Sequence, residues 1–570
     1  MNTPEDGAPV ENPDDAPAAA GAAQTDESSA PEKHPPAPTP GESAWMEKIN
    51  AWNEAADYRA VIDALEALPP EERTPLLTGE LARAYNNLAQ PGERAPFLRA
   101  LDLLGECRGA LENTHEWNYR CAFSLFYLDR EGEALSFWER ALELKPDDPD
   151  TIGMIRQTLH FLTVPQFVEP FRVRAAAFWE AFLLEESALA AGITSRRPEE
   201  GEAAAQRVAE LLDPLDVRWS LGLMPGTRAD PRMVLELSPE HDLIELLAVS
   251  ALFAAAPAAV RERWALRCGR GRLPAAVFER LYAARGGFTD GLVNPSELRC
   301  SLEAGEGGLV LQVYSETLCG FEESESGPVF RTLTLLIDHL VGEAASARFI
   351  SAVTLLRRPP AGEAFPILEL AARLAAREPR AANWTYEDGR NERLEYWLKP
   401  KRGAEAPGTD IRFGETTAAA FLNGLRSGDP TVVNTLAQKG AAAGLVYFER
   451  RETPDPEAAE ALHRKLLTDL RALLADMPNA ATVTGEAFSD RRSYLEVVLW
   501  DARAVFARLN AYAGTLGDEA PVLAFRSFHP KAGILFFRSP GDAAAAAAPA
   551  DPPTSASDAP PSAQTPPENG

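Results

Sequence analysis

Signatures of covalent or metal chemistry are scarce in this sequence. Its five cysteines (Cys107, Cys121, Cys268, Cys300 and Cys319) are odd in number, and no two form a CxxC pair. That spacing argues against a disulfide framework or a thiolate metal site and suits free thiols in a reducing cytosol. The seven histidines never stand as HxH, HxxxH or HExxH, so metal-ligand spacing is lacking. No GxSxG nucleophile elbow, no three-glycine dinucleotide fingerprint and no Gly-Lys-Ser/Thr phosphate loop is present. Positive charge is in deficit, with 56 Lys and Arg against 85 Asp and Glu. The two tails account for −7 (residues 1–41) and −4 (residues 541–570), which leaves −18 for the body between them. A chain without a basic footprint is not expected to bind nucleic acid.

Long apolar runs are equally rare. The one that approaches spanning length, LIELLAVSALFAAAPAAV (residues 243–260), contains Glu245 and Pro257. It reads as a buried helix broken near the proline, and no membrane span is expected. The opening MNTPEDGAPV is acidic and has no apolar core, so no secretory signal is expected and a cytoplasmic location follows.

What is present begins with composition. Residues 1–41 hold nine prolines and residues 540–570 hold eight, with alanine, serine and acids filling most of the rest. Such segments bury too little apolar surface to offset ordering entropy, so disordered tails are expected at 1–42 and 539–570. Residues 43–162 read as helical hairpins. Ala82, Tyr85 and Leu88 share one helix face, Ala122, Leu125 and Leu128 repeat the spacing, and turn chemistry at Pro69-Pro70, Pro91-Gly92 and Gly132 separates the helices.

Residues 115–148, HEWNYRCAFSLFYLDREGEALSFWERALELKPDD, resemble a tetratricopeptide repeat, with Ala122 at the small position, Ala134, Trp138 and Ala141 at the packing positions and Pro146 ending the unit. Residues 75–113 form a weaker copy with a stretched second helix. Residues 44–70 form a first hairpin, and helix 150–162 caps the stack. A long helix is expected over 165–191, with Phe167, Phe171, Phe178, Trp179 and Phe182 as its core stripe.

The remainder changes to α+β. Helix 199–212, strands 217–223 and 232–238, helix 241–255 and strand 263–269 make one unit. Helix 274–284, strands 298–304 and 309–315, helix 328–342 and strand 348–356 repeat that order, so residues 163–375 contain two such units. Residues 376–443 read as an irregular connection. Residues 444–538 run strand 444–450, helix 456–475, strands 481–488 and 493–500, helix 501–514, and strands 522–528 and 533–538. That β-α-β-β-α-β order with one extra strand suggests a ferredoxin-like split βαβ module. The expected class is therefore multidomain α+β behind an N-terminal helical repeat array. Through LARAYNNL, FWEAF, VLELSPEHD, DIRFGETT and GAAAGLVYF, residues 43–538 resemble bacterial proteins with N-terminal tetratricopeptide repeats followed by α+β regions. That resemblance implies a scaffold and brings no catalytic residues.

In such repeats the first helices line a concave groove. The register places Glu80, Arg83, Asn86 and Asn87 there from one unit, and Tyr119, Arg120, Phe123, Phe126 and Tyr127 from the next. Arginine and asparagine bond a peptide backbone or carboxylate, and the aromatic rings supply apolar anchors. The opposing reading packs Phe123 and Phe126 against the next helix. Members that clamp a terminal carboxylate use a lysine and asparagine set that this chain lacks. The functional expectation is non-catalytic binding of a protein or peptide, without a cofactor. Two rivals stand beside it. One is an enzyme or small-ligand regulator with its site at residues 383–401 or 410–417. The other is an immunity or stress factor that neutralises a basic effector, which draws on the acidic body. Cys268-Gly-Arg-Gly-Arg272 has the look of a phosphate loop but lacks the spacing of either glycine motif.

Overall fold

The computed structural model describes residues 39–90, 92–283, 294–305, 307–318, 326–360, 362–400, 406–449, 456–517 and 521–539. The two tails lie outside these residues except at their inner ends, as do Pro91 and Cys319. Helix α1 (Pro40–Glu54) starts inside the expected N-terminal tail because Thr39 caps it. The Thr39 hydroxyl accepts from the Glu42 amide (3.3 Å), and the Glu42 carboxylate accepts from the Thr39 amide (2.7 Å).

The helical array continues as α2 (Tyr58–Glu66), α3 (Pro75–Leu88), α4 (Arg94–Glu106), the single turn α5 (Arg108–Leu111), α6 (His115–Tyr127), α7 (Glu131–Leu144) and α8 (Pro149–Thr163). Asp57, Thr74, Thr114 and Asp148 each cap a helix through a side-chain oxygen, which satisfies an amide that the first turn leaves open. Neighbouring long helices pack against one another in antiparallel pairs. Ala82, Ala122, Ala134 and Ala141 are fully buried where those pairs cross, and Trp138 fills the space beside them.

Helix α9 (Phe171–Thr194) begins six residues later than expected. Pro165 and Pro170 explain the delay, since proline lacks the amide a helix interior needs and pushes the residue before it to an extended conformation. Phe171, Phe178, Trp179 and Phe182 are buried as its core stripe. Helix α10 (Pro198–Leu212) packs back along α9.

Two sheets of similar construction follow. The first comprises β1 (Ser220–Met224) and β2 (Met233–Ser238) as an antiparallel hairpin, then α11 (Leu243–Ala254), α12 (Ala258–Arg263) and β3 (Trp264–Cys268) parallel to β2. After α13 (Ala275–Ala283) the order recurs with β4 (Arg299–Gly305), β5 (Gly308–Tyr314), α14 (Ser326–Val341), α15 (Glu343–Phe349) and β6 (Ile350–Leu355), parallel to β5. The run 348–356, read as strand throughout, is helical at its first two residues, because α15 occupies the place that α12 holds in the first unit. A two-residue strand β7 (Phe365–Pro366) pairs with β4 at the edge of the second sheet.

Residues 376–443 are not irregular. After α16 (Leu370–Arg377) they form α17 (Tyr386–Asn391), β8 (Leu394–Trp397), β9 (Phe413–Thr416), α18 (Ala419–Ser427) and α19 (Thr431–Gln438). Then come β10 (Ala442–Glu449), α20 (Pro456–Ala475), β11 (Ala481–Phe488), β12 (Arg492–Leu499), α21 (Ala502–Thr515), β13 (Leu523–Ser527) and β14 (Leu535–Arg538). One seven-stranded sheet runs β14-β13-β10-β12-β11-β9-β8, every neighbour antiparallel. Strands β8 and β9 therefore belong to the last sheet. The sequence hides them because each is four residues long and β8 is largely exposed.

That sheet is covered on both faces, so β10 and β12 are buried almost continuously where a one-sided sheet would alternate. Helices α20 and α21 cover one face. On the other, Leu445, Tyr447, Tyr494 and Trp500 share a single core with α9, α18, α19 and the first sheet. The second sheet has a core of its own.

The joint between these bodies runs through the loop after α19. The amide of Phe171 donates to Gly440 O (2.9 Å), that of Arg172 to Trp500 O (3.1 Å), and the Arg172 guanidinium to Asp501 (2.8 Å). Gly440 has φ +76°, and a Cβ there would lie 2.6 Å from Glu169 O, so only glycine admits this approach. Beside it Lys439 is buried, with Nζ 2.7 Å from both Glu245 Oε1 of α11 and Asp216 O. Replacing Lys439 by methionine leaves Glu245 an uncompensated buried charge and is expected to cost about 3–5 kcal/mol. Adding Glu245→Gln should restore most of it, as read from urea unfolding followed by tryptophan fluorescence.

Glu131, at the start of α7, is enclosed at the same joint, and burial followed by the charge of Asp129 pushes its carboxyl up to about 8. The folded state keeps this proton where the unfolded chain has released it. Its stabilising contribution is therefore complete below the ordinary value of 4.5 and is lost as pH rises through about 8. Glu131→Gln should flatten that decline in a series of unfolding midpoints against pH.

Candidate functional site

A cavity of about 430 Å³ opens on the array between α3, α6 and the α7–α8 turn. Every lining residue belongs to the array. Helix α6 is fixed at its start by Thr114, which accepts from Trp117 N (3.3 Å), and by the Asn118 amide, which donates to Glu112 O and Thr114 O (2.8 Å each). The face it turns to the cavity then presents His115, Tyr119 and Phe123, each half-buried, at helical spacing.

Six of the nine residues expected from the register line the cavity: Arg83, Asn86, Asn87, Tyr119, Arg120 and Phe123. The other three do not. Glu80 lies buried behind the wall, where it accepts from Arg120 Nη2 (2.5 Å) and Arg83 Nη1 (3.4 Å). Phe126 is buried and packs on Phe161 of α8 with ring centroids 5.6 Å apart. Tyr127 stacks on Phe97 of α4 at 5.2 Å. The helical face is wider than the cavity, so residues at its far edge face neighbouring helices.

Within the lining, duties divide. Asn86 clamps the two helices, donating to Arg120 O (3.1 Å) and accepting from the Ser124 hydroxyl (2.7 Å). Arg120 is tied to Glu80. Asn87 is exposed, and Arg83 keeps one long ion pair. Tyr119 meets the Trp138 ring edge-on at 4.8 Å and Phe123 lies 4.7 Å from Tyr127, so both rings are held by their neighbours.

The opposite rim comes from residues the repeat register did not include: His115, Glu116, Lys145, Asp148 and Asp150. Asp148 caps α8 through Thr151 N (3.1 Å) and the Thr151 hydroxyl (2.7 Å), and Lys145 Nζ lies 2.6 Å away. The Lys145 ammonium first, and then Thr151, hold the Asp148 carboxyl well below the usual carboxylate range. A Lys-x-x-Asp-x-x-Thr run entering a helix is a legible cap signal, but nothing in it announces that the cap borders a groove. The site thus carries arginine and amide donors on one side, acids on the other and aromatic rings between them.

Elsewhere the structure satisfies groups that could suggest chemistry. In the Cys268–Arg272 loop the Arg270 amide donates to Glu343 Oε2 (2.8 Å) and the Gly271 amide to Glu236 Oε2 (3.1 Å), so the chain's own carboxylates take the amides that would face a phosphate. His241 meets Asp338 at 3.1 Å. Asp410 accepts from the Tyr494 hydroxyl (2.5 Å) and Arg492 (3.1 Å), and Thr416 donates to the buried Glu496 (2.5 Å). His529 differs, since its buried Nε2 has no hydrogen-bond partner among the described residues, and burial lowers its imidazole to about 4. Among the described residues, no group of three or more His, Cys, Asp or Glu is placed to hold a metal ion, and no helix is long and apolar enough to cross a membrane.

Arg120→Ala strips Glu80 of its closest partner and is expected to destabilise the array by about 2 kcal/mol. Hydrogen exchange should show this as faster exchange in α3 and α6 with little change in β10 and β12. No protein-family model, curated protein or solved structure matches this chain.

Proposed function

We propose that the array is a tetratricopeptide-like repeat stack that binds an extended segment of a partner protein, without covalent chemistry. The carrying observation is the open cavity of about 430 Å³ whose lining is drawn wholly from the array. Its chemistry fits a peptide. Arg83 and Asn87 supply donors to a backbone carbonyl or an acidic side chain, Tyr119 and Phe123 offer apolar contact, and Glu116 and Asp150 face a basic residue on the far side. Small residues at the helix crossings and Trp138 in the second helix support the repeat reading. The β13-β10-β12-β11 order, all antiparallel, with α20 and α21 on one face, supports a ferredoxin-like reading of the last module. On this reading the α+β modules are the rigid body that carries the array, in a cytoplasmic setting.

Three units make a short groove, so affinity for one segment should be modest. Peptides selected from a random library on the full chain are expected to lose affinity about tenfold with Arg83→Glu or Asn87→Ala, and more with Tyr119→Ala, while circular dichroism is unchanged. Selected peptides that bind these variants as tightly as the parent would place the site elsewhere. Arg120 is unsuited to this test, because its loss also unpairs Glu80.

A further inference from the structure

A second cleft of about 430 Å³ lies where α17 folds against the end of α11 and against β3. It brings together three arginines from three elements: Arg261 of α12, Arg267 of β3 and Arg390 of α17. Glu387 is the one acid among the lining residues. In a chain of net charge −29, this clustering of like charge is an electrostatic cost that an anion would offset.

The guanidinium groups are not used up by the fold. Arg261 caps α11, donating through Nε to Ala256 O (3.2 Å) and through Nη2 to Ala254 O (3.1 Å) and Phe253 O, which leaves Nη1. Arg267 gives Nη1 to Glu236 (3.1 Å), which leaves Nε and Nη2. Arg390 is exposed and has no hydrogen-bond or ion-pair partner among the described residues.

The rest of the lining is mixed, with Ser250 and Thr385 beside apolar residues. Phe253 and Leu266 contribute to it, and so does Tyr386, whose hydroxyl donates to Glu343 (3.1 Å). Tyr386 is held in place by Gly269, at φ +81°, where a Cβ would come within 2.6 Å of its ring. Thus the arrangement that carries Arg390 to the cleft depends on a glycine. Cys268 also lines the cleft, and burial pushes its thiol up to about 12, so it is a wall and not a nucleophile.

From this geometry we infer that the cleft binds a phosphorylated small molecule of about mononucleotide size, its phosphate between Arg267 and Arg390 and its apolar body against Phe253 and Leu266. Forked guanidinium donors suit a phosphate, and the volume falls in the range of small-ligand sites. The neighbouring amides are unavailable for this task, since Glu343 and Glu236 occupy them. Recognition therefore passes to side chains, which explains why no glycine-rich phosphate motif accompanies the site.

The test is calorimetry and thermal shift on the full chain with inorganic phosphate, adenosine, and a panel of mononucleotides and sugar phosphates. At least one phosphorylated panel member should bind and raise the unfolding midpoint, and its unphosphorylated counterpart should not. Arg390→Ala should weaken that binding about tenfold and Arg267→Lys by a similar factor, since lysine keeps the charge and loses the fork. The Arg390 side chain has no hydrogen-bond or ion-pair partner among the described residues, so its variant should keep the parent midpoint without ligand. No binding of any phosphorylated member up to about 10 mM, or binding that is equal in the two variants and the parent, would overturn the inference. Because neither arginine touches the array groove, peptide binding should be unaffected, and the two sites can fail separately.

Discussion

The molecule depends on how closely the start of α9 approaches the loop that enters β10. At that point the Phe171 amide reaches Gly440 O at 2.9 Å, the absence of a side chain at Gly440 lets the backbones meet, and the neighbouring Lys439 is buried against Glu245 of α11. The long helix α9, the first sheet and the seven-stranded sheet thereby share one core. A buried lysine and glutamate pair is a poor source of net stability, because desolvation consumes most of its attraction. Its effect lies in selectivity, since any other docking of these bodies would strand both charges.

The same joint decides which face of the array stays open. The array is fastened through its later helices: Glu133 of α7 receives Gln438 (2.8 Å), Glu139 of α7 receives Lys531 (2.5 Å), and the Thr163 hydroxyl at the end of α8 accepts from the Gly533 amide (2.8 Å). None of these contacts uses a residue that lines the cavity. The groove between Arg83 and Asp150 is thus left to solvent by the geometry of docking.

Acids recur as internal partners. Glu80 holds two arginines beneath the groove, Glu343 and Glu236 occupy the amides of the Cys268–Arg272 loop, and Glu496 receives Tyr396 and Thr416. A fair part of the negative charge counted along the chain is therefore spent inside it, and the total is a weak guide to what the surface attracts. Where an arginine has no such partner among the described residues, as at Arg390, the exception marks a place to look for a ligand.

Most elements are legible in the residues alone: hairpins over 43–162, two helix-strand-strand-helix-strand units, and the strand and helix order of the last module. Each is written in local periodicity and caps, which depend on residues a few positions apart. Six of the nine residues expected on one face of the array line its cavity, because helical spacing groups residues by face. Tertiary structure alone decided the rest. Strands β8 and β9 are too short to declare themselves, and they become strands only by pairing with each other and, through β9, with β11. Phe126 and Tyr127 share the groove's helix but face other helices, while Lys145, Asp148 and Asp150 join it from the next turn. The cleft of Arg261, Arg267 and Arg390 unites residues 129 positions apart in the chain, and no local pattern carries information over that distance. Periodicity reports which side of an element is buried; what lies across from that side is set by packing.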